Sequence, residues 1–222
     1  TRVRVDIIST GSELVDLGQP LGPGQIFDSN GTALAAAVES SGAHLGSSAR
    51  VGDNAEHFRA RLDITVDGGA ELILTSGGIS QGEYEVVRET LEPLGANVDV
   101  LAMQPGGPQA TATYRGVPVI CFPGNPVSSQ LSFLLFVEPI LREIAGLPSR
   151  ARTPRILDAP LTSVAGKRQF LRGRALPDGR VATLGGPSSH LVAALAAADV
   201  LLDIPEDATE LPAGATVETW EL

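Results

Sequence analysis

The sequence predicts an α/β fold: a three-layer domain with a mostly parallel sheet plus a small C-terminal β domain. Two observations carry this. Over the first two thirds, short apolar runs alternate with segments of helical periodicity, the pattern of strands joined by helical crossovers. Near Gly146-Leu147-Pro148 the pattern changes, and the rest of the chain alternates in short segments without a long helix. The 222 residues suffice for one large core and a small second one, with the boundary between 1–146 and 147–222.

Val3, Val5, Ile7 and Ile8 read as a strand ending near Thr10-Gly11. Asp28-Ser29-Asn30 offers N-cap oxygens to an alanine-rich helix reaching about Ser41. A strand over about 43–51 comes next, then a helix capped by Asp53-Asn54 that ends at the Asp67-Gly68-Gly69 break. Residues 71–75 form a short continuous apolar strand, as in the middle of a parallel sheet. A helix over 83–94 puts Val87, Leu91 and Leu94 on one face and the i,i+4 pair Arg88 and Glu92 on the other. Strands are expected at about 97–103, 111–114 and 117–122. Asn125-Pro126 reads as N-cap and N1 proline for a core helix over 127–145, apolar nearly all round. Beyond it, Pro177-Asp178-Gly179 is a hairpin turn, Ser188-Ser189 cap a short helix through Ala198, 200–204 is a strand, and 215–222 alternates again.

Hydrophobic residues make up 43% and charged residues 19%, a globular rather than a disordered composition. The net charge is −10 and Lys167 is the only lysine among 16 basic residues, which disfavours nucleic acid as a partner. Small anions are still allowed, since backbone N–H groups can hold them. No apolar run reaches the roughly 18 residues of a membrane-spanning helix. Cys121 is the only cysteine, so an intramolecular disulfide is excluded, and a reducing, cytoplasmic setting is expected. Flanked by Ile120 and Phe122, it reads as core. The first residue is Thr1, directly on an apolar run, with no signal-peptide pattern and no initiator methionine; a longer protein is expected upstream. His44, His57 and His190 have no metal-ligand spacing.

Three loops come after predicted strands, where ligands bind in open α/β sheets. In Thr10-Gly11-Ser12-Glu13-Leu14, Gly11 allows close approach and Glu13 can ligate a cation; the alternative is a surface loop. In Ser76-Gly77-Gly78-Ile79-Ser80, two glycines after a buried strand make a backbone nest suited to an anion. Beside it, Glu83 and Glu85 either complement a helix dipole or bind a hard cation such as Mg2+. Pro123-Gly124-Asn125-Pro126-Val127-Ser128 fixes a rigid turn at a helix start, either structural or anion-facing.

These segments occur in order, together with Gly24-Gln25-Ile26-x-Asp28-x-Asn30, and the chain so resembles the molybdopterin molybdenumtransferase family, which includes the C-terminal domain of gephyrin. The resemblance extends to the C-terminal part through Arg168-Gln169-Phe170-Leu171-Arg172-Gly173 and Ser189-His190-Leu191. It implies Mg2+-dependent insertion of molybdate into adenylylated molybdopterin with release of AMP, in a homodimer whose partner subunit completes the pocket. Carried over residue by residue, it implies Glu13, Glu83 and Glu85 as catalytic metal-binding carboxylates. Thr10, Gly11, Ser12, Ser76, Gly77, Gly78, Ser80, Pro123, Gly124, Asn125, Pro126, Ser128, Arg172 and Ser189 become substrate-binding residues.

The chain departs from that pattern. Ser12 stands where the family has aspartate, and Glu83 and Glu85 stand for aspartates, extending the reach by ~1.5 Å. Gln104 and Gly107 replace two lysines that would face developing negative charge. The family's two N-terminal domains are absent from the sequence. The lysine losses favour an alternative, a non-catalytic molybdopterin- or nucleotide-binding module or scaffold. A nucleotide pyrophosphatase of the competence-damage-inducible type shares Thr-Gly-x-Glu-Leu, but would lack Pro-Gly-Asn-Pro-Val-Ser.

Overall fold

The computed structural model describes residues 2–79 and 85–222. The chain forms two compact units, Thr1–Val100 with Pro108–Pro148, and Leu101–Gly107 with Ser149–Leu222. Relative to a single cut after residue 146, the segment 101–107 goes with the second unit.

The first unit contains β1 (Arg4–Thr10), β2 (Leu14–Val15), β3 (Ile26–Phe27), α1 (Ser29–Ser40), β4 (His44–Val51), α2 (Ala55–Asp67), β5 (Leu72–Ser76), α3 (Val86–Leu91) and β6 (Asn97–Val100). The chain then contributes β7 (Met103–Gln104) to the second unit and returns as β8 (Pro108–Tyr114), β9 (Val117–Phe122), α4 (Pro126–Ser132) and α5 (Glu138–Ala145). The large sheet has the order β4-β1-β5-β9-β8-β6. Its first four strands are parallel, and β8 and β6 add antiparallel pairings.

Strand alternation builds the three layers. Val5, Ile7, Leu72 and Leu74 face Leu34 and Val38 of α1, together with Phe133, Val137 and Leu141. Ile8, Ile73, Val119 and Cys121 face the other way, onto Phe58 and Leu62 of α2 and Val86, Val87 and Leu91 of α3. Both faces of the parallel strands are covered, which is why 71–75 reads as continuously apolar.

Prolines account for two differences from the expected helices. The helix expected over 127–145 is α4, a π-helical turn at Phe133–Val137, and α5. Pro139 has no N–H to offer the carbonyl four residues back, and the turn before it widens. Likewise α3 stops at Leu91 and passes into a 3₁₀ turn, Glu92–Leu94, around Pro93.

The second unit contains β7 and then β10 (Arg152–Leu157), β11 (Leu161–Thr162), β12 (Arg168–Ala175), β13 (Arg180–Thr183), α6 (Val192–Ala196), β14 (Val200–Ile204), β15 (Glu210–Leu211) and β16 (Thr216–Glu221). Its sheet runs β13-β10-β16-β14-β12-β7, and β13 also pairs with β12, so five strands close into a ring with β7 added at β12. Leu157, Val181, Val200, Leu202, Ile204 and Val217 fill it. The strand expected over 97–103 is interrupted because Leu101 N–H bonds the Gly107 carbonyl at 2.7 Å, closing a loop. The helix expected from Ser188 begins only at Val192, with Leu191 rather than a serine at the cap position.

Candidate functional site

Parallel register decides which loops meet. Ser9 of β1 lies beside Ser76 of β5, and Ser76 beside Phe122 of β9. The loops after Thr10, Ser76 and Phe122 therefore leave one sheet edge. They touch: a Cβ built on Gly124 would lie 3.4 Å from Gly77 Cα, and Gly77 N–H donates to the Phe122 carbonyl at 3.1 Å. Thr10, Gly11, Ser76, Gly77, Gly78, Pro123 and Gly124 are thus brought together.

The glycine pair does more than leave room for a ligand. Gly77 (φ +95°) passes over the end of β1, and a Cβ there would sit 2.7 Å from the Thr10 carbonyl oxygen and 2.9 Å from its hydroxyl. At Gly78 (φ +67°) a Cβ would meet Val87 Cγ2 at 2.9 Å. Because the Gly77 amide is engaged by Phe122, it is not an open donor of the expected nest.

Asn30 ties these loops together. Asp28 alone caps α1, its carboxylate accepting from Gly31 N–H at 2.8 Å. Asn30, two residues on, turns inward instead. Its Nδ2 donates to Ser76 Oγ at 2.7 Å and to the Gly124 carbonyl at 2.8 Å. Ser129 Oγ lies 3.5 Å from Ser76 Oγ. Thr10 Oγ1 donates to the Ser76 carbonyl at 3.4 Å. Asn30 entered the sequence reading as a cap oxygen and as part of the resembling segment, without a role at the site, and Ser129 did not enter it. The signal was present in Asp28-x-Asn30: one helix start uses one side-chain cap, which releases the second for other work.

The remaining predicted residues are placed less uniformly. Ser12 pairs with the next loop, its N–H donating to Asp53 Oδ2 at 2.9 Å and its Oγ accepting from Asp53 N–H at 3.0 Å. The Glu13 carboxylate lies over Gly11, 2.6 Å from where a Cβ would be. Glu85 occupies the cap position of α3 without a side-chain cap bond. Asn125 caps α4 by position, also without a side-chain bond, and Ser128 is buried in its first turn. Ser80 and Glu83 lie outside the described residues. Among the described residues, no three His, Cys, Asp or Glu side chains cluster as a metal site.

In the second unit, Arg172 of β12 is 1% exposed. Its Nη2 donates to the Gly186 carbonyl, while Nε and Nη1 are buried without partners. Burial pushes its pKa below the usual guanidinium range. Ser189 lies partly buried in the following loop. Gln104 on β7 accepts from Gln169 Nε2 at 2.7 Å.

Residues 6–143 match the family described as "Probable molybdopterin binding domain", and residues 154–222 match the MoeA C-terminal region, domain IV. The class is therefore that of molybdopterin-binding α/β domains followed by a domain of the MoeA C-terminal type. Molybdopterin molybdenumtransferase 2 of Mycobacterium tuberculosis is 47% identical over all of this chain and 57% of its own length. Molybdopterin molybdenumtransferase 1 of that organism is 36% identical over 98% of this chain and 54% of its own. The molybdopterin biosynthesis MoeA protein of Pyrococcus horikosii superposes with a TM-score of 0.83 at 30% identity, over 99% of this chain and 54% of that one. The chain belongs to the molybdopterin molybdenumtransferase family. It spans about half the length of the curated relatives it matches.

Proposed function

We propose that the α/β unit binds the phosphate-bearing end of molybdopterin and of its adenylylated form at the loops closing β1, β5 and β9. In the longer protein this serves insertion of molybdate with release of AMP. The observation that supports it best is the convergence of three loops on one sheet edge, tied by Asn30. Thr10, Ser76 and Ser128 offer hydroxyl groups there, while Gly11, Gly78, Pro123, Gly124, Asn125 and Pro126 offer a close backbone surface. Arg172, with two buried N–H directions unused, suits an oxyanion such as molybdate, and Ser189 is its proposed companion. Glu13, Glu83 and Glu85 are the proposed Mg2+ ligands. Their carboxylate oxygens are the hard donors that Mg2+ takes, and Glu13 lies at the edge beside Gly11. Bound there, Mg2+ would offset phosphate charge and polarise a phosphoryl oxygen. The substrates are small molecules. A cytoplasmic setting and a homodimer of the longer protein complete the reading, and no described helix is long and apolar enough to cross a membrane.

Calorimetry tests the binding step. The chain should bind AMP and molybdopterin, each more tightly with Mg2+; no binding of either would refute the reading. A second reading, a binding module without turnover, is favoured by position 104, where a neutral amide engaged by Gln169 stands in the loop expected to carry cations. Introducing Gln104→Lys with Gly107→Lys in the longer protein separates the two. Molybdate insertion should rise if missing charge limits the rate, and an unchanged, already fast rate would dismiss the second reading.

A further inference from the structure

We propose that Asn30 is a positioning residue that turns the hydrogen of the Ser76 hydroxyl toward the ligand, so that Ser76 meets it as a donor. This rests on the proposed function, in which the ligand's oxyanion lies against the loop after β5.

The argument is one of hydrogen-bond directions. The Gly124 carbonyl can only accept, so the atom of Asn30 2.8 Å from it must be the NH2 nitrogen. The flipped amide would set two carbonyl oxygens against each other. With the nitrogen so fixed, its second N–H points at Ser76 Oγ, 2.7 Å away. Ser76 accepts that bond, and its single hydrogen is barred from that side. Ser129 Oγ, at 3.5 Å, is at the limit of a useful bond, and no described residue offers Ser76 a closer acceptor. Ser76 is 2% exposed. A hydroxyl this buried, with a committed acceptor side and an unclaimed hydrogen, is completed by an acceptor oxygen arriving at the loop.

A second observation separates this from a purely structural clip. Asn30 Oδ1 is buried with no partner. An arrangement selected for stability alone would not keep an unsatisfied buried carbonyl. Here that oxygen is left over because both N–H groups are committed to Ser76 and Gly124. The consequence is selectivity: the site favours an acceptor-only oxygen, such as an ionised phosphate, over a group that presents only N–H.

The test uses Asn30→Asp, the isosteric change that removes donors. Ionised, the introduced carboxylate accepts from Ser76 and repels the Gly124 carbonyl. Protonated, the oxygen that replaces Nδ2 gives its one O–H to the Gly124 carbonyl, which has no hydrogen of its own, and that same oxygen still takes the Ser76 hydrogen on a lone pair. Acidification therefore restores the fold but not the direction of Ser76. AMP affinity by calorimetry and stability by urea unfolding are measured at pH 5.5 and pH 8, with the unsubstituted chain at each pH as reference. The expected result is that stability recovers at pH 5.5 while affinity stays about tenfold or more below the reference, the worth of a bond to a charged acceptor. An Asn30→Asp chain whose affinity returns with its stability overturns the inference. Should that chain not fold, Ser76→Ala carries the test: a similar loss at both pH values supports it, and unchanged affinity overturns it. Failure of the unsubstituted chain to bind AMP or molybdopterin overturns the functional reading and this inference with it. Binding that is intact and indifferent to these changes overturns this inference alone.

Discussion

Gly77 and Gly95 offer a matched pair for testing why the glycines of the loop after β5 are glycines. Their φ angles are nearly alike, +95° and +88°. Their surroundings differ: an added Cβ at Gly95 meets nothing within 4 Å, whereas at Gly77 it would lie 2.7 Å from the Thr10 carbonyl oxygen. Alanine at 95 carries only the left-handed backbone penalty, about 1–2 kcal/mol. Alanine at 77 carries the same penalty plus a contact relieved only by shifting the end of β1, a core-overpacking cost of about 1–3 kcal/mol more. Gly77→Ala should therefore lose about 2–5 kcal/mol and Gly95→Ala about 1–2 kcal/mol, both within the stability of an ordinary domain. Urea unfolding of both variants, extrapolated linearly, reads the difference. AMP binding should fall in Gly77→Ala and not in Gly95→Ala. Equal destabilisation would refute the claim that close passage over β1, rather than dihedral freedom alone, requires glycine there.

Two further outcomes concern buried groups. Arg172→Met, which replaces a guanidinium with two unpartnered N–H directions by an apolar side chain, should be neutral or stabilising by about 1 kcal/mol while weakening molybdate binding; a loss above about 2 kcal/mol in urea unfolding would mean the charge is compensated. Burial pushes the Cys121 thiol up to about 12. Between the unfolded value near 8.5 and that folded value the native chain holds a proton the unfolded chain has lost, so stability is full below about pH 8.5 and falls by up to about 1.4 kcal/mol per pH unit above it. In urea unfolding across that range Cys121→Val should flatten the fall, and identical slopes would contradict it.

Much of the fold was legible because strand periodicity and flanking turns carry local information. The run 71–75 and its Gly-Gly exit identified a buried parallel strand before any contact was known, and β5 is that strand. What stayed hidden is what depends on partners distant in sequence. Residues 97–103 look like one strand, but the Leu101–Gly107 bond and the pairing of β7 with β12 divide them. The site was legible as motifs, not as wiring. Asn30 looked like one more cap oxygen because its partners, Ser76 and Gly124, lie 46 and 94 residues away. Ser12 was expected beside the ligand, and its bonds with Asp53, which cross 41 residues, could not be read from its own loop. Local pattern reveals which residues want hydrogen bonds; only the register of the sheet decides who receives them.

The distribution of charge is set by that wiring. The bonds at the edge of β1, β5 and β9 come from Thr10, Asn30, Ser76, Gly124 and Ser129, which are all neutral, and the nearby Glu13 is negative. Such a set fixes the direction and depth of an oxyanion, because each donor is held by a bond on its other side. It does little to offset the charge that a phosphate brings to a chain already at −10. Orientation and charge compensation must therefore have different sources. The proposed source of charge at this edge is Mg2+ on the carboxylates. Binding and turnover are therefore separate predictions, and the two must be measured separately.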